Sequence, residues 1–306
     1  MLDEIVAAGT PPVHTTIFHY EDGSVPVTIK PANGVDALYA PRRTVLDRVL
    51  ADAAWDAGAE FRFETTVRDV VRDDSGAVGG VVGPGLDVRA GLVIGADGIN
   101  SLVARRVNAR VERQARHAGT VVYCYWEGLD AAGYEWAYAN GAAAGLIPTN
   151  DGQVVVFTGT APRRARPYQK VLAAASPELA ERVAAAKAPL RMRTFRGEPG
   201  FMRTAHGRGW ALVGDAGYFK DPISSHGITD ALRDAELLAR AVTHGSLAEY
   251  QATRDAVSAD LLTVTDRVAS YGWDTDEIRG LLRELSASMS HEIELINTFD
   301  DEEVAA

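Results

Sequence analysis

The stretch Leu92-Val93-Ile94-Gly95-Ala96-Asp97-Gly98-Ile99-Asn100-Ser101 decides the fold, together with a second of the same form, Ala211-Leu212-Val213-Gly214-Asp215-Ala216-Gly217. In each, a short apolar strand runs into a Gly and an Asp, and the chain then turns into loop or helix. Open α/β sheets bind ligands at such places, because the carboxyl ends of strands hold backbone N–H groups and one acid rigidly. One such turn is weak evidence, since an Asp after a strand is also an ordinary cap. Two in one chain, with a matched third element, are harder to dismiss.

The third element follows the second turn: Asp221-Pro222-Ile223-Ser224-Ser225-His226-Gly227-Ile228. A loop ends here and a helix starts near Gly227. The N-terminus of a helix offers free N–H groups and a positive dipole end. It stabilises an anion, including the charge that a flavin ring develops at its N1–C2=O edge on reduction. Gly227 lets a ring approach the backbone closely, although a plain N-cap glycine reads equally well. His226 is a candidate acid or base beside such a ring, against the reading of a loop histidine with no chemical role.

Working outward, residues 1–10 read as a helix ending at Gly9, and 13–30 as a hairpin turning at Glu21-Asp22-Gly23. Leu46, Val49, Leu50, Ala53 and Ala54 repeat at helical spacing, so 42–58 is a helix stopped by Gly58. Strands are expected over Phe61 to Val71, Ala77 to Val82 and Leu86 to Ala90. Two or more strands are expected across 119–160. The Ala-rich stretch 165–186 reads as helical and 190–203 as a strand. Ile228, Ala231, Leu232, Ala235, Leu238, Ala239 and Val242 form one apolar helical face. Residues 246–297 read as helical, with breaks near Gly272 and Gly280.

The totals bound the function. In 306 residues the hydrophobic fraction is 46 % and the net charge -11, which gives a sizeable core and argues against a nucleic-acid surface. The expectation is a cytoplasmic protein without a membrane span, because nowhere do eighteen apolar residues run together. Cys124 is the single cysteine, so a disulfide within the chain and a Cys-based metal site are excluded. It lies in the run Val121-Val122-Tyr123-Cys124-Tyr125-Trp126 and reads as a small buried hydrophobe. His14, His19 and His206 lack metal-ligand spacing with an acid, and no metal is expected. Arg163-Arg164-Ala165-Arg166 reads as a solvated basic turn that an acidic substrate could also use.

Ile94-Gly95-Ala96-Asp97-Gly98-Ile99-Asn100-Ser101 resembles the "DG" motif of flavoprotein aromatic hydroxylases. Val213-Gly214-Asp215-Ala216, followed by Pro222, Gly227 and Asp230-Ala231, resembles their "GD" motif. Arg42-Arg43-Thr44-Val45-Leu46-Asp47 resembles the Arg-x-x-Leu helix opening near the FAD adenosine, with Arg43 the better match by spacing, and the Val67 region fits as well. The resemblance implies an FAD-dependent monooxygenase of the aromatic-hydroxylase type, related to geranylgeranyl reductases and flavin halogenases. It implies Arg43, Val67, Asp97, Gly98, Gly214, Asp215, Pro222, Gly227 and Ile228 as FAD contacts. Asp215 would bond the ribitol or ribose hydroxyls, Asp97-Gly98 would support the pyrophosphate side, and Pro222 to Ile228 would face the ring. The family's opening strand, Gly-x-Gly-x-x-Gly and helix have no counterpart in this sequence.

The implied fold is α/β. A discontinuous FAD/NAD(P)-binding domain of the hydroxylase type, lacking its N-terminal part, would span 39–107 and 203–245. A β-rich substrate domain would span 11–38 and 108–202, and a C-terminal helical region 246–306 would cover one side or make a homodimer contact. The implied activity is NAD(P)H-dependent hydroxylation of a small organic substrate through a flavin C4a-hydroperoxide, the chemistry being the cofactor's. The alternatives are a flavin-dependent reductase or halogenase of the same superfamily, or a truncated, non-catalytic relic that does not retain FAD.

Overall fold

A computed structural model describes residues 1–305 except Asn33, Ala165 and 188–190; for 299–305 it describes the backbone alone. The chain opens with α1 (Leu2–Ala7), β1 (Thr15–Tyr20), β2 (Gly23–Thr28) and α2 (Arg43–Asp56). Next come β3 (Asp69–Arg72), β4 (Val78–Gly83), β5 (Leu86–Arg89), β6 (Val93–Gly95) and α3 (Leu102–Val107). Five strands follow: β7 (Val111–Gln114), β8 (Thr120–Glu127), β9 (Tyr134–Ala139), β10 (Ala142–Pro148) and β11 (Gln153–Thr160). After α4 (Tyr168–Ala175) and α5 (Pro177–Ala185) come β12 (Arg193–Phe195), β13 (Phe201–Arg203), β14 (His206–Gly207), β15 (Trp210–Leu212) and β16 (Tyr218–Phe219). The chain closes with α6 (Gly227–Thr243), α7 (Leu247–Val268) and α8 (Thr275–Ala305). This is the mixed α/β architecture expected from the sequence.

Two compact units are interleaved along the chain. The first comprises Met1–Arg62, Gly119–Gly197 and Tyr271–Ile278; the second comprises Phe63–Ala118, Glu198–Ser270 and Arg279–Ala306. In the first, a seven-stranded sheet runs β12-β8-β11-β10-β9-β1-β2, antiparallel but for the β1–β9 pair. Strand side chains alternate between faces. One face, with Cys124, Trp126, Ala144, Leu146 and Val156, packs on Tyr168, Leu172, Leu179 and Val183 of α4 and α5. The other carries aromatic pairs: Tyr123 with Tyr125 at 6.4 Å and Trp136 with Phe157 at 5.7 Å. Gly145 has to be glycine, because a Cβ there would lie 2.3 Å from the Phe157 ring.

On β9, the carboxylate of Glu135 is buried and takes three partners, one of them the Ala132 N–H, which donates to it at 3.2 Å. Arg182 donates to it through both terminal nitrogens at 2.7 and 2.9 Å, and His19 Nε2 lies 3.0 Å away. Burial alone would raise its pKa, but the bonds from His19 and Arg182 outweigh that and hold it down to about 2. A folded-state value below that of an exposed Glu gives stability that is present above about pH 4.3 and lost as pH falls toward 2. The loss is about 3 kcal/mol at 1.36 kcal/mol per pKa unit. Acid denaturation of Glu135→Gln should lack this slope between pH 4.5 and 2, and an unchanged slope would show that other groups carry it.

The second unit holds three small sheets: β3-β4-β5, β14-β15-β6 and β16-β13-β7. In the middle one β15 runs parallel to β6, with Leu212 opposite Gly95. Val93, Val103, Trp210 and Leu212 form one apolar cluster there. Ala211, Leu237, Leu238, Ala241 and Tyr250 form another, beneath α6 and α7.

Several expected elements differ in detail. Regular strand begins only at Asp69 rather than Phe61, because Glu64 adopts a left-handed φ of 53° and Phe61 stacks on Trp55 at 5.9 Å. The Ala-rich stretch is two helices: Ser176, extended at φ -158°, caps α5, whose first residue is Pro177. Ala165, at the head of that stretch, lies outside the described residues. The expected strand 190–203 is two, β12 and β13, in different sheets, and Leu190 is likewise outside the described residues. The chain does break near Gly272, but Gly280 lies within α8. Space around Gly280 is open, so it lowers helix propensity without ending the helix.

Candidate functional site

The two Gly–Asp turns end neighbouring parallel strands. The N–H of Val213 donates to the carbonyl of Gly95 at 3.0 Å, so the turns leave the sheet side by side. Arg203 ties them, donating to the carbonyl of Ala216 at 2.8 Å and to that of Ile99 at 3.5 Å. Gly95 is packed shut: a Cβ would meet Leu212 at 2.7 Å and Val103 at 2.8 Å. Gly214 adopts φ 55°, and its Cβ would lie 3.0 Å from that of Ala231.

The two acids differ. Asp97 is committed to α3: its carboxylate accepts from Ser101 Oγ at 2.5 Å and from the N–H groups of Leu102 and Val103 at 2.6 and 3.2 Å. The capping reading of that Asp therefore describes its contacts, while Gly98 beside it supplies the left-handed turn at φ 75°. Asp215 sits in a 3₁₀ turn, Gly214–Ala216, half-buried. Its Oδ1 would lie 3.8 Å from a Cβ on Gly227, so the second turn meets the start of α6. Its N-cap residue, His226, makes no side-chain cap bond to that helix. The N–H groups of Gly227, Ile228 and Thr229 precede the first intrahelical donor, Asp230, whose N–H reaches the carbonyl of His226 at 3.1 Å. Gly227, Ile228 and Pro222 are exposed around this end.

Behind it lies a buried ionic cluster that the motif reading did not reveal. His226 Nε2 is 2.7 Å from Glu292 Oε2. Arg233 donates to Glu292 at 3.0 Å, to Asp230 at 3.1 Å and to Asp234 at 2.7 Å. Asp234 accepts the N–H of Gly214 at 3.0 Å, and Lys220 pairs with Asp230. Burial would raise the pKa of Glu292, but His226 and Arg233 outweigh it and hold the group below the usual carboxylate range. Burial and the Arg233 guanidinium push Lys220 down to about 7, against the pull of Glu292, Asp215 and Asp234. His226, Asp230 and Glu292 bring three ligand-type atoms within 4.8 Å of one another. Arg233 bridges the two carboxylates and Lys220 pairs with one of them, so the Arg233 guanidinium supplies positive charge there from the protein itself.

The structure thus brings Gly214, Asp215, Pro222, His226, Gly227 and Ile228 together in the second unit. Asp97 and Gly98 stand on the adjacent turn. Val67 precedes β3 and runs beside Gly83 of β4, where a Cβ would lie 3.6 Å from its Cα. Arg43 belongs to the first unit, on α2, where it is exposed and paired with Asp47 at 2.7 Å. Arg164 of the basic run donates to Asn140 at 3.3 Å and is exposed. The residues missed were Arg203, Lys220, Arg233, Asp234 and Glu292. A signal was available for Asp234: it lies on the same helical face as Leu237, Leu238 and Ala241, all buried.

The apolar face expected on α6 is not the one facing the core. Leu238 is buried, but Ile228 is 46 %, Leu232 46 % and Val242 55 % exposed, with Ala235 and Ala239 exposed between them. On β6, Ile94 is 50 % exposed.

The FAD binding domain family model matches residues 1–264, and the chain belongs to that family. Digeranylgeranylglycerophospholipid reductase of Methanosarcina mazei is 28 % identical over 240 residues, 72 % of this chain and 56 % of the relative. Menaquinone reductase of Mycolicibacterium smegmatis is 28 % identical over 235 residues, 68 % of this chain and 54 % of the relative. The chain spans little more than half the length of these curated relatives. The solved structure of PqsL, a probable FAD-dependent monooxygenase from Pseudomonas aeruginosa, shares the fold with a TM-score of 0.77 at 20 % identity, over 92 % of this chain and 84 % of that one. The flavin-dependent brominase Bmp2 does so with a TM-score of 0.74 at 19 % identity, over 98 % and 85 %.

The residues present fit the ring and ribityl end of FAD. An uncapped helix N-terminus, a glycine with room around it and an acid beside that glycine make a donor set for a flavin edge and an acceptor for hydroxyls. A Gly-x-Gly-x-x-Gly phosphate cradle is not part of this sequence.

Proposed function

We propose that this chain acts as an FAD-dependent oxidoreductase, an NAD(P)H-dependent monooxygenase of a small organic substrate. The observation that carries the reading is the meeting of Asp215 with the uncapped start of α6, at the ends of two adjacent parallel strands. In this reading Asp215 accepts hydrogen bonds from the ribityl hydroxyls. The N–H groups of Gly227 to Thr229 face the electron-accepting edge of the ring, and Gly227 keeps the backbone close to it. FAD, when bound, passes electrons between a nicotinamide donor and the substrate. The FAD part comprises 39–107 and 203–245, the substrate part 11–38 and 108–202, and the C-terminal region 246–306. The half-buried aromatic face of the seven-stranded sheet supports a planar or apolar substrate. The reading places the protein in the cytoplasm, where NAD(P)H is available; no helix among the described residues is long and apolar enough to cross a membrane.

A second reading, an alkene reductase, is favoured by the curated relatives, which are named reductases. Oxygen uptake and product mass decide between them, after incubation with FAD, NADPH or NADH, and panels of phenols and polyprenyl alkenes. An added oxygen supports the monooxygenase and added hydrogens the reductase. FAD bound but never reduced by either nicotinamide would reject both.

The exposed stripe Leu232, Ala235, Ala239 and Val242, beyond the helix start, supports a homodimer, since an apolar patch on a surface helix marks an interaction site. Leu232→Glu should shift the native chain from dimer to monomer by light scattering. A native chain that is already a monodisperse, sharply melting monomer would contradict this.

A further inference from the structure

The family match ends at residue 264, yet the partner of the His226 imidazole comes from α8, well beyond it. Glu292 is completely buried. One of its oxygens faces His226 Nε2 at 2.7 Å and the other accepts from Arg233 at 3.0 Å. Arg233 is held by Asp234, and Asp234 takes the N–H of Gly214. One buried hydrogen-bonded path therefore runs from the glycine of the second turn to His226, the N-cap residue of α6.

Such a path is a poor way to add stability, because desolvating charges consumes most of what their pairing returns. It is a good way to fix geometry. The residue before His226 needs fixing: Ser225 is exposed and adopts a left-handed φ of 52°. A non-glycine residue holds that conformation only where its surroundings over-determine it. The imidazole anchored on Glu292 is the adjacent constraint.

We propose that Glu292 is a positioning residue for the flavin: through His226 it fixes the N-cap of α6, and with it the direction of the Gly227, Ile228 and Thr229 N–H groups toward the ring. The inference rests on the reading of Gly214 to Ile228 as the flavin site. It makes Glu292 of the C-terminal helix a support of the cofactor site, acting through His226.

The test is FAD titration of the native chain, His226→Ala, Glu292→Gln and the double variant, with visible circular dichroism at saturating FAD. Each single change is expected to weaken FAD binding about tenfold, as for one lost charge-assisted hydrogen bond. The double change should weaken it no further, because both break one path. The dichroism of the bound flavin should change in all three. A merely structural role would lower the melting temperature of the FAD-free chain and leave affinity and dichroism native. If His226→Ala does not fold, His226→Gln, whose amide can still donate to Glu292, should retain native affinity and dichroism. A native chain that binds FAD while His226→Ala and Glu292→Gln bind it equally, with unchanged dichroism, overturns the inference alone. A native chain that takes up no FAD overturns the flavin-site reading, and the inference with it.

Discussion

Arg233→Met should destabilise the second unit by about 3–5 kcal/mol, the cost of leaving buried charges without their partner. The Arg233 side chain is fully buried and ion-paired with Asp230, Asp234 and Glu292. Methionine fills similar space but leaves three buried carboxylates with Lys220, His226 and the Gly214 N–H as their remaining named partners. With about 2–4 °C per kcal/mol for a unit of this size, the melting midpoint should fall by roughly 6–20 °C. Arg233→Lys should recover only part of this, because an ammonium cannot span the fork that reaches three carboxylates. Scanning calorimetry of the two variants decides the matter; a fall of less than about 1 °C for the methionine variant would mean that the cluster is not organised around Arg233.

Asp215→Ala carries the second large effect, on ligand binding. A hydrogen bond to an ionised group is worth about 1.5–3 kcal/mol, so FAD affinity should fall about 10- to 150-fold. Asp215→Asn keeps an acceptor and should lose less. Asp215 is half-buried in a 3₁₀ turn, so the melting temperature of the FAD-free chain, measured beside the titration, separates lost binding from lost structure. Equal affinity in Asp215→Ala and the native chain would remove Asp215 from the cofactor site.

Much of this was legible in the residues themselves. One Gly–Asp turn after an apolar strand is ordinary, but two in one chain with a matched helix start after the second are legible as a pair, and the structure sets them on adjacent parallel strands. The helix at 42–58 and the first hairpin follow from period and turn chemistry, and Cys124 is buried as its neighbours suggest. Length was harder to read than type. A left-handed Glu64 shortens the strand expected over Phe61 to Val71, and Ser176 splits an Ala-rich helix that had no glycine to mark the break. On α6 two apolar stripes compete. The buried one also carries Asp230, Arg233 and Asp234, which periodicity assigns to solvent because charged residues are seldom buried unless paired. Their partner Glu292 lies 59 residues beyond Arg233, and nothing local in a sequence announces such a pair.

The central claim is that the start of α6 and Asp215 hold a flavin. The visible absorption spectrum of the purified chain during FAD titration tests it most directly. The account predicts a perturbed flavin spectrum saturating near one FAD per chain, bleached on addition of NADPH or NADH; a spectrum that stays that of free FAD at high concentration would contradict it.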